Sequence, residues 1–123
     1  MEFHAAGALI IFDNGNLVGL FRKTGKDYYS LPFGKREKGE SPKDTAKREV
    51  LEETGVTIKI LKNAPFIRTL NNKVYITYLA KPKNIGKPSH PDEGIFTIGK
   101  PELLLYGKYS EYNSAMLNHF GIK

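Results

Sequence analysis

The nine residues from Arg48 to Val56, REVLEETGV, crowd Glu49, Glu52 and Glu53 into one short stretch of a chain whose formal net charge is +6. The flanks make that stretch a helix. Ser41 is a good N-cap, Pro42 suits the first helical position, and Asp44 completes a capping-box spacing. Gly55 stands where a helix ends on a left-handed residue. At about 100° per residue, Ala46, Val50 and Thr54 form a narrow buried stripe, and the three glutamates fall within an arc of roughly 100° beside it. Like charges at i, i+4 oppose helix formation by about 0.2–0.5 kcal/mol, and closeness to the buried stripe raises that cost. Two readings fit the helix taken by itself. One is a solvated acidic face; the other is a set of hard oxygen ligands whose repulsion a divalent cation such as Mg²⁺ offsets. Arg48, four residues before Glu52, is placed to pair with it and fix its orientation.

The rest of the chain narrows the setting. Its 123 residues predict one domain spanning 1–123, large enough to bury a core without staples. There is no cysteine, which removes disulfides, thiol catalysis and cysteine-based zinc sites together. The longest apolar run, Ala5 to Phe12, is strand length and far short of the roughly 18 residues of a membrane span. The start MEFHAAGALII lacks the features of a signal peptide, so the reading is a cytoplasmic protein without a membrane partner. The basic excess favours polyanions such as nucleotides or RNA, although no RNA-binding motif accompanies it. The sequence leaves monomer and homodimer open. Six of the 13 acidic residues lie between Glu37 and Glu53, and that clustering marks a site.

Around the helix the pattern is strand-like. GALIIFDNGNLVGLF predicts a hairpin turning at Asp13 to Asn16. KTGKD (Lys23 to Asp27) reads as a loop, and YYSLP as a short extended segment entering Pro32. VTIKIL is β-branched and alternating; FIRTLNNKVYITYLA predicts a second hairpin turning at Asn71-Asn72. KPKNIGKPSHPDEG (Lys81 to Gly94) reads as an exposed loop, followed by a strand at Ile95 to Ile98 and a helical tail from about Ser110 to Phe120. Strands on both sides of a central helix, with a closing helix, predict a compact α/β domain with a mixed sheet.

The residues upstream decide between the two readings of the glutamates. Five residues separate Gly34 from Glu40, and seven more separate Glu40 from Arg48. The whole pattern G-x5-E-x7-R-E-U-x-E-E-x-G-U, with U apolar, resembles the Nudix box without a mismatch. Seven of its positions demand one residue type, so a chance match is on the order of one in a million at ordinary residue usage. YYSLPFGKREKGE and DEGIFTIGKPEL resemble the segments on either side of the core motif, and the likeness runs from about Ala5 to Leu104. Two positions depart from it: Tyr29 where tryptophan is common, and Phe33 where glycine is usual.

The resemblance implies a Nudix-type α/β/α sandwich and hydrolysis of a pyrophosphate bond in a nucleoside diphosphate linked to another group, with Mg²⁺ or Mn²⁺ as cofactor. It implies that Glu49, Glu52 and Glu53 hold metal, that one of them or Glu93 serves as base, and that Arg48 orients the carboxylates. In relatives the backbone carbonyl at Phe33 also binds metal. Phenylalanine resists positive φ, so either the loop takes another path or Phe33 keeps ordinary φ and lends its ring to the substrate pocket. Glu40 is implied at the loop–helix junction. Arg22, Lys23 and Lys35 are candidates for holding phosphates. Tyr75 and Tyr78, three apart on a strand, face opposite sides; one belongs to the core and the other is a candidate to stack on a base. By size, and by the lack of an ADP-ribose-type proline or a dinucleotide-type tyrosine in good register, the chain most resembles the small MutT-like nucleoside-triphosphate pyrophosphohydrolases. ADP-ribose or diadenosine polyphosphate hydrolysis, and a non-catalytic nucleotide- or RNA-binding domain, are the rival expectations.

Overall fold

The computed structural model describes residues 2–24, 26–89 and 94–122, and for residues 23, 24 and 26–28 the backbone only. Among the described residues eight strands form one mixed sheet: β1 (Ala5–Ile11), β2 (Leu17–Thr24), β3 (Lys26–Ser30), β4 (Phe33–Lys35), β5 (Val56–Ile60), β6 (Phe66–Leu70), β7 (Lys73–Ile85) and β8 (Ile95–Gly99). Helix α1 (Pro42–Thr54) lies between β4 and β5; a 3₁₀ segment (Pro101–Leu105) and helix α2 (Ser110–His119) follow β8. The main path runs β3-β2-β1-β7-β5, with β4 on β1, β6 on β7 and β8 on β2. Among the described residues only the β1–β7 ladder is parallel, and it pairs Ala5 with Tyr75 through to Ile10 with Ala80.

Alternation along β1 sorts the core into two layers. Ala6, Ala8 and Ile10 pack with Ala46 and Val50 of α1, and Leu9 packs with Leu104, Met116 and Leu117 on the other face. The same split runs along β7, where Ile76, Tyr78 and Ala80 belong to the α1 side and Leu79 to the α2 side. Helices therefore cover both faces of the sheet, the α/β/α sandwich that the sequence implied. Tyr78 is the core tyrosine, 7% exposed, and Tyr75 takes the opposite face.

Helix α1 has the ends its sequence predicts. Asp44 N donates to Ser41 Oγ at 3.1 Å, Ser41 N donates back to the Asp44 carboxylate at 3.5 Å, and Gly55 closes the helix at φ 75°. A Cβ on Gly55 would come within 2.5 Å of the Gly86 carbonyl oxygen, because the backbone leaving β7 crosses there. Gly55→Ala is thus expected to cost about 1–3 kcal/mol, from left-handed φ together with backbone overlap, read as a lowered urea midpoint at unchanged m-value.

Two loop expectations are corrected. Lys81 to Gly94 does not begin as a loop, since β7 continues to Ile85 against β5 and pairs Lys59 with Lys81 and Val56 with Ile85. Pro82 is accommodated beside a bulge between Thr57 and Ile58, where the ladder is already irregular. Lys23 and Thr24 likewise continue β2, and Lys26 and Asp27 begin β3, with Lys23 paired to Asp27 and Thr24 to Lys26. The second hairpin turns where expected, at Asn71 and Asn72 with φ 51° and 65°. Among the described residues no helix is long and apolar enough to cross a membrane.

Candidate active site

The site lies where β4 runs between α1 and the opposite face of the sheet. Phe33 and Gly34 are consecutive, so they point to opposite sides. Gly34 turns toward α1, and a Cβ there would overlap the Glu49 carboxylate. Phe33 turns toward α2, and its ring lies over Gly7, where a Cβ would overlap it. Among the described non-glycine residues only Asn71 and Asn72 have positive φ. Phe33 therefore keeps ordinary φ, and its ring lines a cavity.

On the α1 side, carboxylates and a guanidinium interlock. Arg48 Nη1 donates to Glu49 at 2.9 Å and to Glu52 at 3.1 Å, while Nε donates to Glu40 at 2.7 Å. Its Nη2 donates to the Lys35 carbonyl at 2.9 Å, which ties α1 to β4. Glu40 also accepts from Thr45 Oγ1 and from the Glu37 amide, both at 2.8 Å. These bonds, Arg48 first, hold its carboxyl down at about 2. With so many donors from the protein, Glu40 is engaged at the loop–helix junction.

Glu53 differs from the other glutamates. It is 3% exposed, accepts from the Phe33 amide at 3.2 Å, and has Arg22 Nη2 at 3.5 Å. Burial pushes its carboxyl up to about 8; Arg22 opposes the shift and the neighbouring Glu49 carboxylate adds to it. Among the described residues no three carboxylate or imidazole groups stand gathered around one point, because the Arg48 guanidinium lies between Glu49 and Glu52. The donor set nonetheless suits a hard cation. It is all carboxylate oxygen, and burial pushes the carboxyl of its most buried member up, a cost that a bound cation would offset.

On the other side of β4 is a cavity of about 420 Å³. Phe33, Tyr75 and Tyr112 form its aromatic wall, with the Phe33 ring centroid 6.2 Å from Tyr75 and 6.3 Å from Tyr112. Tyr109, Asn113, Leu31, Leu70, Ser30 and Arg22 complete the lining. Tyr112 is fixed by a 2.8 Å hydrogen bond with Thr77, and burial raises its hydroxyl to about 12, so it stays neutral. Arg22 belongs to both halves of the site. Its Nε donates to Ser30 Oγ at 2.8 Å, and its Nη2 faces Glu53.

The structure thus brings together Arg48, Glu49, Glu52 and Glu53, and joins them through Arg22 to Phe33 and Tyr75. The Lys35 side chain is exposed and is not among the residues that line the cavity, and its carbonyl accepts from Arg48. The Lys23 side chain and Glu93 lie outside the described residues. Sequence reasoning missed the contribution of α2. Tyr109, Tyr112, Asn113 and Met116 repeat at i, i+3, i+4, i+7, which signals an inward face. That spacing does not separate core from pocket.

The chain matches the model of the NUDIX domain over residues 1–111. The chain belongs to the Nudix hydrolase family. Among curated proteins, the ADP-ribose pyrophosphatase of Bacillus subtilis (strain 168) is 43% identical over 60 residues, covering 46% of this chain. The matched stretch spans about a third, 32%, of that relative's length. Nudix folds of similar shape include a Caenorhabditis elegans Ap4A hydrolase in a binary complex, with TM-score 0.74, 21% identity, and coverage of 95% of each chain. The E. coli ORF135 protein has TM-score 0.70 and 20% identity, covering 98% of this chain and 90% of its own. A Nudix-family hydrolase from Clostridium perfringens has TM-score 0.73 and 14% identity over 98% of each chain. At these identities the structural likenesses establish the fold.

Proposed function

We propose that this Nudix protein hydrolyses a pyrophosphate bond in a nucleoside diphosphate derivative, and that its substrate is a nucleoside triphosphate, canonical or oxidised, converted to monophosphate and pyrophosphate. The observation that carries the reading is Arg22, which joins an aromatic cavity sized for a nucleoside to the buried carboxylates of α1. The base enters between Phe33, Tyr75 and Tyr112, where rings stack on its faces. The phosphate chain then passes Arg22, whose charge attracts it and whose Nε is already anchored on Ser30.

Glu49, Glu52 and Glu53, with the Phe33 carbonyl and Glu93 as further oxygen donors, would hold Mg²⁺ or Mn²⁺. Bound there, the ion neutralises phosphate charge and acidifies water. Arg48 orients Glu49 and Glu52 through its two Nη1 hydrogen bonds. We assign the proton transfer from water to Glu53, which a bound cation would keep ionised despite its burial. Which carboxylate does so follows from comparing Glu53→Gln, Glu49→Gln and Glu93→Gln.

A second reading, hydrolysis of ADP-ribose, is favoured by the 43% identity with the Bacillus subtilis relative. The test is product analysis across nucleoside triphosphates, ADP-ribose and diadenosine tetraphosphate. Turnover is expected with millimolar Mg²⁺ or Mn²⁺ and none with chelator, and the best triphosphate should give the highest kcat/KM. A higher value for ADP-ribose moves the assignment to the second reading. Turnover that survives chelation sinks the metal assignment.

A further inference from the structure

Charge is segregated along this chain. No acidic residue stands between Glu53 and Asp92, while that stretch holds six lysines and one arginine. It supplies β5, β6 and β7, so the imbalance falls on one part of the sheet.

The β5–β7 ladder gathers much of it on one face. On β5, Val56, Ile58 and Ile60 pack toward α1, which turns Thr57 and Lys59 to the α2 side. On β7, Leu79 packs toward α2 and Ala80 toward α1, so Lys81 also takes the α2 side. Lys59 and Lys81 stand directly opposite each other across the antiparallel ladder. Lys83 is the extra residue of the bulge, because Ile58 pairs with Pro82 and Thr57 with Asn84. Asn84 N donates to Thr57 Oγ1 at 3.2 Å and fixes that bulge. Leu61 and Leu79, one step back on this face, pack in the cluster of Met116 and Leu117 of α2. Beyond that cover all three lysines are exposed.

Like charges opposite each other weaken a ladder. Lys81 Nζ donates to the Asp13 carboxylate at 2.6 Å, but among the described residues no ion pair joins Lys59 or Lys83 to an acid. Their charge is left for a partner. The company they keep says which. Thr57 and Asn84 are polar, and the exposed Ile85 is the partner of Val56, which puts it on the α1 side. Binding at a lipid surface draws on buried apolar area as well as charge, and single strands are held by stacking on aromatic rings. This face offers neither. Lysines by themselves suit a dense, regular array of phosphates, and a nucleic-acid duplex carries one charge per about 1.7 Å of its axis.

We propose that the face formed by Lys59, Lys81 and Lys83 docks the phosphate backbone of a nucleic-acid duplex, without regard to base sequence. None of the three lines the aromatic cavity, so this surface is separate from the nucleotide site and does not rest on the hydrolytic reading.

The test is fluorescence anisotropy with short labelled duplexes, one DNA and one RNA, each also in a scrambled sequence. Chelator is present, so that no metal bridges the α1 carboxylates to phosphate. At 50 mM KCl at least one duplex should bind with a dissociation constant of about 1–100 μM, and log Kobs should fall against log salt with a slope of about −2 to −3, the release expected for three phosphate contacts. The triple variant Lys59→Gln, Lys81→Gln, Lys83→Gln should bind tenfold or more weakly and bring the slope near zero. The triple change to arginine should keep both affinity and slope, and nucleotide turnover should be the same in all three proteins.

No binding of either duplex by the wild type at about 100 μM overturns the proposal. So does a glutamine variant that binds as the wild type does, which would leave the lysines as guards of an open strand edge. A strong preference between scrambled sequences overturns it as well. Binding to phosphatidylserine vesicles without binding to duplexes, lost in the glutamine variant, would assign the face to a membrane instead. The wild-type salt series decides the matter even if a variant does not fold.

Discussion

Glu53→Gln is expected to lower kcat by about 10²–10⁴-fold, the range for removal of a general base, with little change in KM. The amide keeps an oxygen for the Phe33 N–H, which donates to Glu53 at 3.2 Å, so β4 and α1 stay joined and the circular dichroism spectrum should match the wild type. The same variant has an opposite effect on the stability of the metal-free protein. Burial raises the folded carboxyl from its ordinary 4.5 to about 8. Between those values the folded state holds a proton that the unfolded chain releases. The resulting stability is complete below about 4.5 and is lost as pH rises through about 8.

In chelator, the wild-type Tm should therefore fall between pH 6 and pH 9 by more than that of Glu53→Gln, which has no proton to lose. Adding Mg²⁺ should raise the Tm of the wild type at the alkaline end by more than that of the variant, which keeps its other oxygen donors but lacks this carboxylate, since a cation bound to the folded state alone raises its Tm. Turnover within tenfold of wild type would refute the assignment of Glu53 as base. Parallel Tm profiles for the two proteins would refute the buried, proton-holding carboxyl.

The arrangement of the acidic cluster was legible in the sequence because it is local. Ser41, Asp44 and Gly55 bound one helix, and the 3.6-residue period sets Glu49 and Glu53 on one side of it. No tertiary information is needed to see that Arg48 reaches Glu52. The pocket was legible only in part, because it is assembled from β2, β3, β4, β6, β7 and α2. Strand alternation set Tyr75 and Tyr78 on opposite sides without saying which is core, and Phe33 stood out by its departure from the family pattern. Tyr112 and Asn113 could not, since their helix has an inward face whether that face meets core or cavity. Lys81 to Ile85 misled for a related reason. Proline and lysines suggest a loop, but pairing with β5 overrides composition where a bulge absorbs Pro82.

Gly34→Ala should cost about 10²-fold in kcat/KM, the effect of displacing a catalytic group by about an ångström. Stability should stay within about 1 kcal/mol of wild type. The two effects separate because of what stands over the glycine. Gly34 has no positive φ, so alanine strains no backbone. The three atoms nearest to its Cβ belong to the Glu49 carboxylate, the free end of a flexible side chain. That end can swing aside, but in doing so it leaves Arg48, which donates to it at 2.9 Å, and abandons its place beside Glu53. A double-mutant cycle makes the cause explicit. In a Glu49→Ala background no carboxylate remains to be displaced, so Gly34→Ala should add almost nothing to the loss. If the penalties instead multiply, Gly34 acts through the path of β4, and the demand for glycine at this position comes from the backbone. Non-additivity would show that glycine is required here because a carboxylate must pass across its Cα.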